Sequence, residues 1–372
     1  MRYLDGFRDP AIAQQLRIQI DALATEYNAE YKQPAHIMEV CGTHTMAIAR
    51  TGIRSILPLS IDLISGPGCP VCVTDCGYID CAIGLAERGV IIVTFGDMLK
   101  VPGSNSTLAA CRADGGSVEV CYSPLDAVAI AKQNPEREVV FLAIGFETTV
   151  APVISIIVAS QAQGIGNVSL LTAFKTVPEA LHILSSMPDK KLDAFLCPAH
   201  VSAIIGAQAY EPVVARHKLP AVIAGFEPLD ILLGIRAIMA QLCSKSPRVE
   251  NLYQRVVRPE GNRKAQELIA KYLYPADVSW RGLGMLAGSG LAIRDQYSTF
   301  DSEKRFRVSI PIGKIRGGCH CSEVLRGVMK PPECKLFGGA CTPDEPVGPC
   351  MVSPEGSCSA YFKYNVSSQV RL

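Results

Sequence analysis

The sequence carries no excess charge of either sign: 36 Lys and Arg stand against 35 Asp and Glu, with no basic run anywhere. A nucleic-acid footprint is therefore missing. Long hydrophobic runs are missing too. The longest, near Val150–Ser160, falls far short of the ~20 apolar residues that cross a bilayer, so no membrane association is expected. The opening residues MRYLDGFRDP bear charge where a secretion signal would be apolar. There is no phosphate loop, no dinucleotide fingerprint and no nucleophile elbow; Gly145-Phe-Glu and Gly282-Leu-Gly are too short to count. These absences leave a cytoplasmic protein whose chemistry must come from other residues.

What the chain has is cysteine. Cys41, Cys69, Cys72, Cys76 and Cys81 form one group, and Cys319, Cys321, Cys334, Cys341, Cys350 and Cys358 form another, out of 15 in all. An odd count without a secretion signal points to the reducing cytosol, where thiols stay free or bind metal. Thiolates are soft ligands for iron, zinc and copper, and paired thiols carry redox chemistry. The chain is read as handling metal, electrons or both.

Its 372 residues suggest two or three domains, and 48% hydrophobic against 19% charged residues lets each bury a core. Asp9-Pro10 has the form of an N-cap followed by proline at the first helical position. Ile12, Leu16, Ile20 and Leu23 continue at helical spacing. Beyond Pro34, apolar runs of strand length occur at Ile37–Val40, Ile61–Ile64, Val90–Phe95, Val118–Tyr122, Val139–Ile144, Val168–Phe174, Leu192–Leu196 and Ala221–Ala224. Helical segments such as Leu125–Gln133, Pro178–Met187 and Leu229–Leu242 fill gaps between them. Near-continuous apolar strands alternating with helices predict parallel sheets covered on both faces. The expected fold is α/β: two parallel-sheet α/β/α units plus a small irregular cysteine-rich C-terminal domain. The expected boundaries are 1–123, 124–280 and 281–372. RGLGMLAGSGLAIR reads as a short hairpin. The segment from Gly317 to Tyr361 has too few large apolar residues for a core of its own. Gly-Phe-Glu follows a strand twice, at Gly145 and Gly225, through duplicated halves or through two similar tight turns.

In open parallel sheets, ligands gather at the carboxyl ends of strands. CGTHT, SGPGCPVC, GDM, GFETT, PAH and GFEP all fall there. Cys69-Pro70-Val71-Cys72 sits at a strand-to-helix turn, where the helix N-terminus lowers the first thiol's pKa and makes it nucleophilic or metal-binding. Two buried structural cysteines are the plainer alternative. Cys76 and Cys81, on the following helix, read as packing residues. Cys41 and His44 are three apart and can face one point to share a metal. Thr43 and Thr45 can hydrogen-bond an anionic ligand or cap the next helix. Glu147, Glu227, His200 and Asp97 are candidate linings of the same cleft, or ordinary caps and loop residues. In the tail, 12, 6 and 16 residues separate Cys321, Cys334, Cys341 and Cys358. Four thiolates from one loop-rich segment suit a [4Fe–4S] cluster or a structural zinc. Zinc sites usually bring two Cys-x-x-Cys knuckles and the tail has none, so it is read as an iron–sulfur cluster domain. Cys319 or Cys350 could replace one of the four ligands.

Together these motifs resemble the HypD family of [NiFe]-hydrogenase maturation proteins. The matching residues are MEVCGTHT (Met38–Thr45), GPGCPVC (Gly66–Cys72), TFGDM (Thr94–Met98), VPG (Val101–Gly103), GFETT (Gly145–Thr149), AGFEPLD (Ala224–Asp230), WRGLG (Trp280–Gly284) and the run from CSEVLRG to SPEGSC. The resemblance covers nearly the whole chain. Ala199 in PAHVS stands where the family favours glycine, and Cys76, Cys81 and Cys319 look like additions. The resemblance implies a scaffold for assembling the Fe(CN)2CO unit, with Cys41, Cys69 and Cys72 holding Fe(II) that carries cyanide and CO, and His44 nearby. It implies a [4Fe–4S] cluster on Cys321, Cys334, Cys341 and Cys358, feeding electrons through Cys69 and Cys72. A HypC-type chaperone would add a cysteine to the iron, and a HypE-type protein would donate cyanide. The hydrogenase large subunit would receive the product indirectly. On this reading the chain is an assembly scaffold with redox activity, not a stand-alone enzyme. The alternative is an iron–sulfur thiol–disulfide oxidoreductase acting on a protein substrate, which would have no need of Cys41 and His44. A zinc-stabilised interaction protein is a third reading.

Overall fold

A computed structural model of the chain describes residues 5–188, 191–314 and 317–369. Its strands are β1 (Ala35–Glu39), β2 (Ile61–Ser65), β3 (Ile91–Phe95), β4 (Val118–Cys121), β5 (Val139–Gly145), β6 (Val168–Lys175), β7 (Ala194–Pro198), β8 (Ala221–Ala224), β9 (Val249–Asn251), β10 (Leu273–Trp280) and β11 (Gly284–Ile293). The eight apolar runs are β1 to β8. The opening helix, Pro10–Tyr31, starts as its sequence suggests: the Asp9 side chain accepts from the Ala11 and Ile12 amides.

Two sheets result. One is five-stranded in the order β2-β1-β7-β8-β9 and parallel throughout. The other is six-stranded, β10-β11-β6-β5-β3-β4, parallel except for the β10–β11 hairpin and its antiparallel join to β6. Arg281-Gly-Leu forms the hairpin turn, with Gly282 at φ +82°, a conformation that favours glycine.

The α/β class with parallel-dominated sheets is as expected, but the sheets do not follow the chain in sequence. The chain leaves the first sheet after β2, lays β3 to β6 in the second, returns for β7 to β9, and finishes the second with β10 and β11. The expected boundary at 123/124 thus falls between β4 and β5, members of one sheet. The boundary at 280/281 falls in the hairpin turn. Apolar patterning reports that both faces of a strand are buried. It does not report which strand lies beside it.

Alternating side chains divide the core into three layers. Ile37 and Leu63 face the layer formed with the opening helix and the helix Pro228–Cys243. Met38, Val40 and Ile64 face the central layer between the sheets, where they meet Val140, Leu142 and Ile144 of β5. Phe141 and Ala143 face the outer layer against the helix Glu147–Gln163. The tail builds no core of its own: Cys321, Cys341, Cys350, Met351 and Cys358 belong to the central layer, together with Cys69 and Cys72. Among the described residues, no helix is long and apolar enough to cross a membrane.

Candidate functional site

The first sheet places β2, β1, β7 and β8 side by side. Their carboxyl ends carry GPGCPVC, CGTHT, PAHVS and GFEP. The chain leaves β1 for β2 on one side while β7 pairs on the other, so Cys41 stands at a topological switch point, where open α/β sheets bind ligands.

Gly68 brings two of these motifs together. The Gly42 amide donates to the Gly68 carbonyl at 3.0 Å, and a Cβ on Gly68 would lie 2.5 Å from the Cys41 nitrogen and 2.6 Å from its Cα. Only glycine allows this approach, which sets Cys69 beside the backbone of Cys41. Gly68→Ala should therefore force the two loops apart, costing about 1–3 kcal/mol by overpacking and abolishing function at the site. Thermal unfolding and activity in cells would read the two effects separately. Wild-type activity in this variant would mean that Cys41 and Cys69 need not meet.

Cys69 caps the short helix Pro70–Val73, its Sγ accepting from the Cys72 amide at 3.2 Å. Both residues are enclosed, at 3% and 0% exposure. The Cys72 thiol donates to the Pro349 carbonyl at 3.8 Å, and burial holds its pKa well above the ordinary thiol value. Cys41, in extended conformation, holds the N-cap position of the helix Gly42–Thr51 without a side-chain capping bond. Its thiol faces the amides of Thr43 and His44, yet burial, followed by the charge of Glu355, pushes its pKa up to about 11. Cys41 and Cys72 therefore rest as thiols that a metal or another strong electrophile would deprotonate on binding.

His44 points its imidazole toward GFEP. Its Nε2 donates to the carbonyls of Ala224 (3.1 Å) and Gly225 (2.9 Å), and its ring packs on Phe226 at 4.8 Å. Burial drives its pKa down to about 4, so the ring is neutral. Only Nδ1, buried and without a partner, remains for a ligand. His200 packs on Phe226 at 4.3 Å. Thr43 donates to Glu355 Oε1 at 2.6 Å, and Thr45 donates to the Cys41 carbonyl at 3.3 Å. Enclosure, and secondarily the charge of Glu355, raises the pKa of Asp97. Glu227 instead pairs with Arg8 at 2.6 Å. Glu147 Oε1 accepts from the Val177 amide at 2.8 Å, and burial raises its pKa to about 7.

The four tail cysteines Cys321, Cys334, Cys341 and Cys358, with Cys319, line a single small pocket. A Cβ on Gly348 would lie 2.5 Å from the sulfurs of both Cys319 and Cys321, so the missing side chain leaves room for the thiols. Cys350 lies deeper, fully buried, beside Cys72, Cys321 and Cys358. Among the described residues, no three His, Cys, Asp or Glu side chains stand ready-made around a metal position.

Two contributors escaped the sequence reading, and a third was read only as a possible replacement ligand. Glu355 fills the space that a Cβ on Gly42 would occupy, at 2.5 Å, and joins the tail to the Cys41 loop; only its place in SPEGSC hinted at it. Arg281 is buried, its amide donating to Val73 (2.8 Å) and its Nε to Thr74 (2.9 Å), which ties the WRGLG turn to the residues after Cys72. Cys350 is the third: the sequence offered it only as a possible replacement for a tail ligand, and no spacing rule placed it beside Cys72.

Comparison with known proteins gives one family. The family model for HypD, described as "Hydrogenase formation hypA family", matches residues 12–365. The chain is 44% identical to the hydrogenase maturation factor HypD of Azotobacter vinelandii, over 99% of this chain and 98% of that protein. It is 44% identical to HypD of Rhizobium leguminosarum bv. viciae, over 98% and 96%, and 40% identical to HypD of Escherichia coli K12, over 98% of each. The chain belongs to the HypD family of hydrogenase maturation proteins.

Proposed function

We propose that this chain acts in [NiFe]-hydrogenase maturation as the scaffold on which the Fe(CN)2CO unit is put together. The observation that carries this reading is the meeting of CGTHT and GPGCPVC at adjacent strand ends, above a core that the tail thiols share. The iron fragment is the substrate. Cys41, Cys69 and Cys72 would hold its iron, thiolate charge favouring Fe(II) that carries cyanide and CO. The amides of Thr43 and His44, in the first turn of the helix that Cys41 precedes, would steady the thiolate once its proton has left. Burial of all three sulfurs excludes water from the site.

The tail fits a resident [4Fe–4S] group by its donor set: four thiols on one cavity, with glycine at Gly348 where a side chain would collide with sulfur. Cys321, Cys334, Cys341 and Cys358 would hold it. When bound, such a group exchanges single electrons with neighbouring thiols. The Val347 amide, 3.4 Å from the Cys341 sulfur, would stabilise that ligand as a thiolate. The partners on this reading are a HypC-type chaperone and a HypE-type cyanide donor. A thiol–disulfide oxidoreductase acting on another protein would need an exposed attacking sulfur, and Cys69 and Cys72 offer none.

An infrared spectrum of the protein, purified without oxygen after co-expression with its small partner, tests the reading. Cyanide and CO stretches should be present in the wild type and vanish in Cys41→Ala. Bands that persist unchanged in Cys41→Ala would remove Cys41 from the iron. A wild type without such bands, in a strain that matures hydrogenase, would count against the scaffold.

A further inference from the structure

Arg281, in the turn between β10 and β11, carries a charge into the interior at 4% exposure. Its backbone amide donates to the Val73 carbonyl at 2.8 Å, and its Nε to the Thr74 carbonyl at 2.9 Å. Nη2 is buried with no partner. The ion pairs among the described residues leave Arg281 out. Buried charges are ordinarily paired, because an unpaired one gives up its hydration and gains nothing in return. The fold therefore holds a cation whose anion is not one of its described carboxylates. The thiols around it are the remaining source of negative charge. The turn packs on the tail: a Cβ on Gly282 would lie 2.7 Å from the Cα of Ser322, the residue after Cys321. The hydrogen bond with Cys321, then burial, raise the pKa of Cys319, and the charge of Arg281 works against that rise. Burial likewise raises the pKa of Cys76, and Arg281 is the strongest force opposing it.

We propose that Arg281 is the counter-charge of the iron–sulfur group held by the tail, its guanidinium favouring the reduced, more negative form. Four thiolate ligands give such a group net negative charge, and reduction adds one charge more. A fixed cation in a medium of low dielectric stabilises that added charge, and net charge is one of the levers that set the potential of such a group. The bond from Nε to the Thr74 carbonyl fixes where the cation sits. The role rests on the reading that Cys321, Cys334, Cys341 and Cys358 hold the group. It also accounts for the unpaired guanidinium: the cost of burying it is met when the tail is loaded.

The test is a redox titration followed by electron paramagnetic resonance, on full-length protein loaded with iron and sulfide without oxygen. Wild type, Arg281→Met and Arg281→Lys are compared. At the wild-type midpoint, Arg281→Met should hold on the order of tenfold less of the reduced form, a midpoint about 59 mV lower for a one-electron couple. Arg281→Lys keeps the charge and should stay within about twofold of wild type. Should Arg281→Met not fold, Arg281→Gln keeps a donor for the Thr74 carbonyl and should show the same drop. The counter-charge is overturned if a loaded neutral variant titrates with the wild type, or if Arg281→Lys falls as far as Arg281→Met. Either result would leave the tail's iron–sulfur group standing. A wild type that takes up neither iron nor acid-labile sulfide would overturn both.

Discussion

Arg54→Met should cost about 3–5 kcal/mol of folding stability at neutral pH, measured by urea denaturation. Glu39, at the end of β1, is 0% exposed. One of its oxygens accepts from the Arg54 guanidinium, and the other has no partner. Arg54 also donates to the Leu63 carbonyl at 2.9 Å and to the Tyr361 hydroxyl at 2.7 Å, with its guanidinium 4.8 Å from the Tyr361 ring. One side chain thus ties β1, β2 and the tail helix Ser357–Gln369 together. Burial raises the pKa of Glu39 above its ordinary 4.5, and the charge of Arg54 is the strongest force opposing that rise. Without Arg54 the carboxylate becomes an uncompensated buried charge.

The pH dependence follows from that direction. A carboxyl whose pKa is raised by folding holds its proton more tightly in the folded state, so stability falls as pH climbs from 4.5 through the raised value. In Arg54→Met this fall should steepen. Below 4.5 Glu39 is neutral in both folded and unfolded chains, and the penalty of the substitution should shrink there. An equal loss at pH 4 and pH 7 would instead assign the effect to packing. Cys41 lies two residues beyond Glu39, and Cys358 opens the helix that holds Tyr361, so hydrogenase maturation should fall with stability.

Glu39 and Arg54 also show what the sequence could not convey. The apolar runs placed β1 to β8 because a strand buried on both faces must be apolar at every position. The strand-end motifs were equally legible, since CGTHT and GPGCPVC begin where those runs stop. Sheet membership was not legible: β1 pairs with β7, more than 150 residues away, and no local pattern specifies that partner. β9 was missed because three half-buried residues, Val249–Asn251, leave no periodicity. The hairpin was placed too late, since Arg281-Gly-Leu is its turn and the first strand comes before it. The orientation of His44 was set by two carbonyls of a distant strand end, so its spacing from Cys41 predicted a shared ligand without revealing where Nε2 is spent. The tail's poverty in large apolar residues suggested that only metal or disulfides could hold it. Its thiols are also part of the central core, and burial against both sheets supplies some of that support.

Lys175→Met should raise stability, and by an amount that depends on pH. Lys175 ends β6 with 2% exposure, its Nζ donating to the Ser279 carbonyl at 3.0 Å and lying 5.6 Å from the Trp280 ring. Burial lowers its pKa from 10.5 to about 7, with only partial relief from the charge of Asp75. At about 1.4 kcal/mol per pKa unit, that drop bounds the cost of keeping the amine charged at about 5 kcal/mol. The unfolded chain binds the proton up to 10.5 and the folded one only to about 7, so wild-type stability should rise with pH across that window. Below it the penalty is fully present. Methionine fills much of the same volume without a charge, so the variant should be more stable by several kcal/mol at pH 6, with the gap closing toward pH 10. Parallel pH profiles for the two proteins would show that the amine is solvated after all. The lysine lines an open pocket with Thr74 and Asp75, the second and third residues after Cys72. A substitution that stabilises the fold while impairing maturation would place the cost of Lys175 with function, the usual trade between a stable core and a working site. Unimpaired maturation would make the lysine a burden carried by the fold alone.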